Sequence, residues 1–323
     1  MQAGRLARTR PSGKDVPIGT ELAAGSTLAR YRIERLLGVG GMGMVYKAAE
    51  EGSGRAVALK VVAPRFAGDL YFRRRFEREA RLAAQIDHPH AVGIEDAGDA
   101  HGVLYVAMRY VDGTDLDAMI ASDGRLEPTL AGAITAQVAS ALDVAHELGL
   151  VHRDVKPGNV LVESRDRYAH ALLTDFGLAK QVGSTSGLTK TGLWVGTVDY
   201  AAPEQIQGAD VGPPVDIYGL GCVLYHALTG EVPYPRAREV AKITAHMLEP
   251  PPVPSQAATG IPPAFDALIA RAMAKDPAER YASAGELGRD ALAAAGVNGP
   301  VRLGGRFASR GESVADPSAP TVA

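Results

Sequence analysis

The eight residues His152-Arg153-Asp154-Val155-Lys156-Pro157-Gly158-Asn159 put an acid, two cations and a carboxamide into a stretch that cannot continue as helix. Pro157 has no amide donor and Gly158 is a poor helix former, so this is a loop held between regular elements. Upstream, an amphipathic pattern runs over residues 130–148, with Gly149 where a helix cap is expected. Downstream, Val160-Leu161-Val162 and Ala171-Leu172-Leu173 flank the polar residues 164–170, which predicts a β-hairpin. An antiparallel hairpin brings its entry and exit together, so Asn159 and Asp175 become neighbours. A carboxamide and a carboxylate are hard oxygen ligands, suited to Mg2+ carried with a nucleotide phosphate. Asp154 is left as a base or as the group that orients a nucleophile.

The 323 residues can form two lobes, or one to two domains, around a true core. A net charge of -3 offers nucleic acid no bulk attraction, so no nucleic-acid partner is expected. The single Cys222 cannot close an intramolecular disulfide, which fits a reducing compartment, and its apolar neighbours mark it as core. No apolar run reaches the ~18 residues of a membrane span. The start of the chain carries Arg5, Arg8 and Arg10 without the apolar stretch of a secretory signal. Residues 1–28 and 297–323 lack periodicity and are expected to be disordered tails.

Residues 31–47 read as strand, glycine loop, strand. Gly38-Val39-Gly40-Gly41-Met42-Gly43 fits G-x-G-x-x-G, but a dinucleotide site needs a helix straight after the last glycine. Here Met44-Val45-Tyr46-Lys47-Ala48 continues as strand, which favours a flexible hairpin whose amides cover phosphates. Lys60 is the one charge in the apolar strand 56–62, either an edge lysine facing water or an ammonium holding phosphate oxygens. Residues 70–86 follow a helical pattern with Phe72, Phe76, Ala80, Ala83 and Ile86 inward. Glu79 borders that face and needs a partner; Lys60 is the obvious one, and a surface glutamate in the arginine-rich run 73–81 is the alternative.

Strands are expected at 91–94 and 103–108, and Arg109-Tyr110-Val111-Asp112-Gly113 connects a small β-rich lobe to a helical remainder. Residues 177–201 show no periodicity, and a loop of that length is usually functional or mobile. Asp216 opens an apolar helix ended by Gly230, either as its N-cap or as a support for the loop backbone from below. Residues 264–275 and 283–295 are the last helices.

In this order the motifs resemble the Hanks-type (eukaryotic-like) serine/threonine protein kinases, most of all the bacterial members, over residues 31–294. Val57-Ala58-Leu59-Lys60 matches V-A-I-K, Asp175-Phe176-Gly177 matches D-F-G, and Ala202-Pro203-Glu204 matches A-P-E. The resemblance implies an α+β bilobal kinase-like fold: a small β-rich N-lobe (29–108) with one key helix, a hinge (109–113) and a larger, mainly helical C-lobe (114–296). It implies an ATP- and Mg2+-dependent enzyme, with Mn2+ as an alternative ion, acting on Ser/Thr of proteins. Lys60 would bind the α/β-phosphates and pair with Glu79. Asn159 and Asp175 would hold the metal, Asp154 would take or orient the hydroxyl proton, and Lys156 would approach the γ-phosphate. Gly38, Val39, Gly40, Gly41, Met42 and Gly43 would cover the phosphates. Leu37, Val45, Ala58 and Leu161 would sandwich adenine behind the gatekeeper Met108, with the backbones of Arg109 and Val111 taking its hydrogen bonds. Glu204 would pair with Arg280. Arg153 would bind a phosphate on the following loop, where Thr189 and Thr191 stand at self-phosphorylation positions, and a homodimer would serve phosphorylation in trans. A cytoplasmic protein is expected, with a membrane-anchored parent as the alternative. An inactive kinase-fold scaffold and a small-molecule phosphotransferase are the competing readings. Lys60, Asp154 and Asp175 argue against the first, and the long loop with Ala202-Pro203-Glu204 argues against the second.

Overall fold

The computed structural model describes residues 21–176 and 198–304. The N-terminal part is one antiparallel sheet of β1 (Thr27–Leu28), β2 (Tyr31–Gly40), β3 (Gly43–Glu50), β4 (Ala56–Val62), β5 (Ile94–Ala100) and β6 (Val103–Arg109), in the order β1-β2-β3-β4-β6-β5. A short helix α1 (Pro64–Ala67) precedes α2 (Leu70–Ala83), whose amides at Tyr71 and Phe72 are capped by the Asp69 carboxylate. Phe72, Phe76, Ala80 and Ala83 are its buried face, as the spacing predicts; the first three pack with Val62, Leu104 and Val106 of the sheet, and Ala83 joins the main core. Between β2 and β3 the chain turns at Gly41 and Met42. Gly43 lies at φ +154°, and a Cβ there would collide with the Val61 carbonyl of β4.

The C-terminal part is helical: α3 (Leu116–Asp123), α4 (Pro128–Glu147), α5 (Pro203–Gln207), α6 (Pro214–Thr229), α7 (Glu239–Leu248), α8 (Pro254–Ala257), α9 (Ala264–Ala272) and α10 (Ala284–Ala294). A small sheet, β7 (Thr114–Asp115), β8 (Val160–Arg165) and β9 (Tyr168–Leu173), lies between α4 and the N-terminal part. The expected hairpin is present but longer than its apolar runs, because Ser164 pairs with Ala169 and Glu163 with His170, and the turn is only Asp166 and Arg167. The strand expected at 91–94 begins at Ile94 instead, since Ala91 makes a lone parallel bridge to Leu173. Leu142, Leu173, Ile217, Leu224 and Phe265 belong to the main core, and Cys222 is buried among them. Among the described residues no helix is long and apolar enough to cross a membrane.

The boundaries set at 28 and 296 are corrected at both ends. Leu22 and Leu28 are buried against Tyr31, Ile33 and Tyr46 on the outer face of the N-terminal sheet, and the Leu22 amide donates to the Tyr46 hydroxyl at 3.0 Å. Leu303, at the other end, is buried in the main core. Single apolar residues in Gly- and Ala-rich surroundings carry no periodic signal, which is why composition misplaces both boundaries.

Two polar ties hold the architecture. Arg280 donates to both carboxylate oxygens of Glu204 (2.6 and 2.8 Å) and to the carbonyls of Ala274, Pro214 and Lys275. All its N–H donors are thereby used inside the core. Removing it in Arg280→Ala strands a buried carboxylate, so urea denaturation should show a loss of about 3–5 kcal/mol.

The second tie joins the two parts. His90 Nδ1 donates to the Ala171 carbonyl and His170 Nε2 to the Pro89 carbonyl, each at 2.9 Å. The His90 and Leu173 backbones close the same seam. Burial first, then the neighbouring His170, His88 and Arg165, hold His90 neutral and push its pKa down to about 4, against the Ala171 hydrogen bond. Unfolding restores the ordinary value, so the unfolded chain binds the extra proton. Stability should therefore fall as pH drops from about 6.5 to about 4, and His90→Gln should flatten that part of a denaturation-versus-pH profile.

Candidate active site

Asp216 builds the loop that the sequence singled out. Its side chain is 0% exposed and accepts from the His152 amide (2.8 Å), the Arg153 amide (2.7 Å) and His146 Nε2 (2.8 Å). Asp216 is therefore a support beneath the loop and not the helix cap, which is Pro213. The loop lies close on α6 because Gly219 leaves room for Val155. Arg153 is drawn into the left-handed region at φ +64°, and Gln205 Nε2 holds its carbonyl at 3.0 Å. The His152 ring donates from Nε2 to the Thr174 carbonyl (2.9 Å), accepts from the Asp154 amide (3.3 Å) and packs edge-on to Phe176.

Above this support the functional side chains converge. Asp154 Oδ2 lies 2.7 Å from Lys156 Nζ and 3.2 Å from Asn159 Nδ2, which also donates to the Asp154 carbonyl at 2.8 Å. The hairpin does what its pattern predicts. Val160 pairs with Leu173, and the Thr174 amide donates to the Asn159 carbonyl at 3.0 Å, so Asn159 and Asp175 sit together. Asp175 takes φ +66°. Its Oδ1 lies 2.9 Å from Lys60 Nζ yet is buried without an aligned hydrogen bond. A buried carboxylate oxygen with acceptor capacity to spare, on a residue next to the backbone partner of Asn159, suits a hard cation. Among the described residues no three His, Cys, Asp or Glu side chains converge on one point. Two protein ligands fit an ion that shares its shell with phosphate and water, as Mg2+ or Mn2+ does.

Beside this cluster lies a cavity of about 440 Å3, lined in part by Leu37, Gly38, Val45, Ala58, Met108, Arg109, Val111 and Leu161. The sequence-derived adenine set is thus gathered in one place, with Asp175 at its end. Gly38 and Gly41 face open space, a Cβ at Gly40 would meet the Gly43 carbonyl only at 4.0 Å, and Val39 is 71% exposed. The Met42 carbonyl accepts from the Ala63 amide at 2.7 Å, which ties the turn to the end of β4.

One expected contact is absent. Glu79 does not pair with Lys60. It accepts from Arg75 at 3.0 and 2.9 Å and lies 3.4 Å from Arg153 Nη1. Arg75 stands one helical turn before Glu79, so little ordering is needed to form that pair. Arg153 is pressed between α2 and the loop, where burial lowers its pKa and Glu79 counteracts it. Thr189 and Thr191 lie outside the described residues. Sequence reasoning also missed His146 and Gln205. His146 had a signal, a titratable side chain in the last turn of a helix leading into the loop. Gln205 had none, since its role depends on where α5 is laid.

A family model described as Protein kinase domain matches residues 31–290. Serine/threonine-protein kinase PknD of Mycobacterium tuberculosis is 48% identical over 265 residues, covering 81% of this chain and 39% of that protein. PknJ of the same organism is 45% identical over 278 residues, 85% of this chain and 47% of the other. The solved kinase domain of Mycobacterium tuberculosis PknI superposes with a TM-score of 0.70 at 37% identity, covering 86% of this chain and 100% of that one. The chain spans less than half the length of the curated relatives it matches.

The Asp216 contacts can be tested directly. Asp216→Ala leaves two loop amides without an acceptor, at about 1–3 kcal/mol each. Hydrogen exchange should show both the His152 and the Arg153 amides losing protection, while Asp216→Asn, which keeps one acceptor oxygen, should retain one of them.

Proposed function

Because the chain belongs to the protein kinase domain family, we propose that it is an ATP- and Mg2+-dependent kinase that transfers the γ-phosphate to serine and threonine hydroxyls of proteins. The observation that carries this reading is the meeting of Lys60, Asp154, Lys156, Asn159 and Asp175 at one end of an apolar-walled cavity. A cavity of this size holds a purine nucleoside. Adenine lies between Leu37, Val45, Ala58 and Leu161, and the strand end at Arg109 and Val111 offers backbone groups to its edge. The side chain of Arg109 is not needed for that contact.

Phosphoryl transfer asks for positioning and charge neutralisation more than for covalent chemistry. Asn159 and Asp175 would hold the metal, which when bound neutralises charge on the nucleotide phosphates. Lys60 grips the α/β-phosphates, and Asp154 orients the incoming hydroxyl and takes its proton. Lys156, within 2.7 Å of Asp154, is close enough to turn toward the transferred group. Its position two residues after Asp154 is that of the serine/threonine class. ATP dependence places the activity in the cytoplasm.

Activation then requires Glu79 to leave Arg75 and Arg153 and meet Lys60. Arg74, Arg75, Arg78 and Arg153 line a second cavity of about 470 Å3 beside Glu79, which supports Arg153 as a phosphate-binding group. Thr189 and Thr191 are the proposed sites of that phosphate, added in trans by a second copy.

Transfer of labelled phosphate from Mg-ATP tests the reading. Label on serine or threonine in the wild type, and none in Asp154→Asn, is expected. Lys60→Met should keep the fold and lose about 100-fold or more in kcat, because phosphate positioning is lost. Equal label in wild type and Asp154→Asn would reject the assignment of Asp154.

A further inference from the structure

The chain does not leave the fold at the end of α10. Gly296 takes φ +66°, its amide donates to the Ala293 carbonyl, and the Val297 amide donates to the Leu292 carbonyl. This pair of bonds closes the helix and turns the chain back across the lobe. Residues 301–303 then run antiparallel to the outer edge of β9. The Ala169 amide donates to the Val301 carbonyl at 2.9 Å and the Leu303 amide to the Arg167 carbonyl at 2.8 Å, on either side of the Tyr168–Arg302 bridge. The side chains alternate as in any strand: Leu303 goes into the core at 4% exposure, and the Arg302 guanidinium lies over the Tyr168 ring.

The segment meets the hairpin where it is weakest. β7 has two residues and pairs only with Leu161 and Val162, so it does not reach the turn end of the hairpin. The turn residues Asp166 and Arg167 both have positive φ (50° and 69°), as a two-residue hairpin turn demands. Arginine is not among the residues that take this conformation cheaply. Its carbonyl is the one that accepts from Leu303. On its other supports β9 is already held: Gln137 bonds the Ala169 carbonyl and the Ala171 amide, and His90 bonds the Ala171 carbonyl. Without the docked segment, the edge would present the unpaired amide of Ala169 and the hole left by Leu303.

We propose that the outer edge of β9 is a strand-docking site, filled in cis by residues 301–303, and that the docked strand positions the hairpin whose two ends carry Asn159 and Asp175. The second half rests on the metal-binding role proposed for those residues; the docking does not. The site selects an extended segment with a leucine two residues after an apolar one and an arginine between them.

The test uses the full chain carrying Leu303→Asp, with Leu303→Ala as the milder variant should the first not fold. Hydrogen exchange at the Ala169 amide reads docking, and the affinity for a fluorescent ATP analogue with Mg2+ reads positioning. Leu303→Asp should speed exchange at Ala169 by about tenfold or more while the amides of α6 stay protected. It should weaken Mg-nucleotide binding about threefold or more, and weaken metal-free nucleotide binding less. A peptide with the sequence of residues 298–304, added to the variant, should restore both, and the same peptide with aspartate at the leucine should not. Unchanged exchange at Ala169 would overturn the docking site. Faster exchange with unchanged Mg-nucleotide affinity would overturn the positioning role. A wild type that binds no nucleotide would instead reject the kinase reading and leave the exchange result standing.

Discussion

A single buried carboxylate organises the middle of the molecule. Thirteen of the sixteen residues of α6 are buried, and Asp216 is one of them. A carboxylate in such surroundings costs several kcal/mol unless donors surround it. Two of its three donors are the amides of consecutive loop residues, His152 and Arg153. Bonding both at once leaves the loop little choice of path, and Arg153 accepts a left-handed backbone in return. The support continues below. Arg280 bonds the carbonyl of Pro214, the first residue of α6, and pairs with Glu204 at the start of α5. A line of satisfied buried polar groups thus runs from the last helices to the loop.

Charge balance governs the cleft above. Lys60 is paired with Asp175, Lys156 with Asp154, and Arg75 and Arg153 with Glu79. Each of these side chains is at most 28% exposed, so releasing any one without a replacement partner is costly. Exchanges among them conserve the number of pairs. Glu79 can reach Lys60 only if Arg75 and Arg153 find other anions and Asp175 finds another cation. Under the proposed function, a nucleotide with its metal would supply the second condition, and an anion in the arginine-lined cavity would supply the first.

Much of this was legible in the chain. The helical pattern over 70–86, realised as α2 to Ala83, showed its inner face through Phe72, Phe76, Ala80 and Ala83, because burial on one side of a helix imposes its period. Asn159 and Asp175 could be brought together because a hairpin has only one way to close. Asp216 could be narrowed to two roles, since a charge in an apolar helix is either at its end or paired. Less legible were the ends. Leu22 and Leu303 lie in short stretches with too few apolar residues to repeat, and one buried side chain makes no pattern. The arginine-rich face of α2 announced charge but not which arginine Glu79 would take.

What the sequence determined by itself is everything set by local spacing: the elements, the loop broken by Pro157 and Gly158, and the closing of one hairpin on Asn159 and Asp175. Tertiary structure decided the choices among equals. Arg75 lies one helical turn from Glu79 and is available to it locally, but only the placement of α2 against the loop brings Arg153 rather than Lys60 to its side. Likewise the edge of β9 could meet water or chain, and the turn after α10 brings residues 301–303 to it. Local rules act over a few residues along the chain, whereas ion pairs and edge strands depend on distances that exist only after the core has packed.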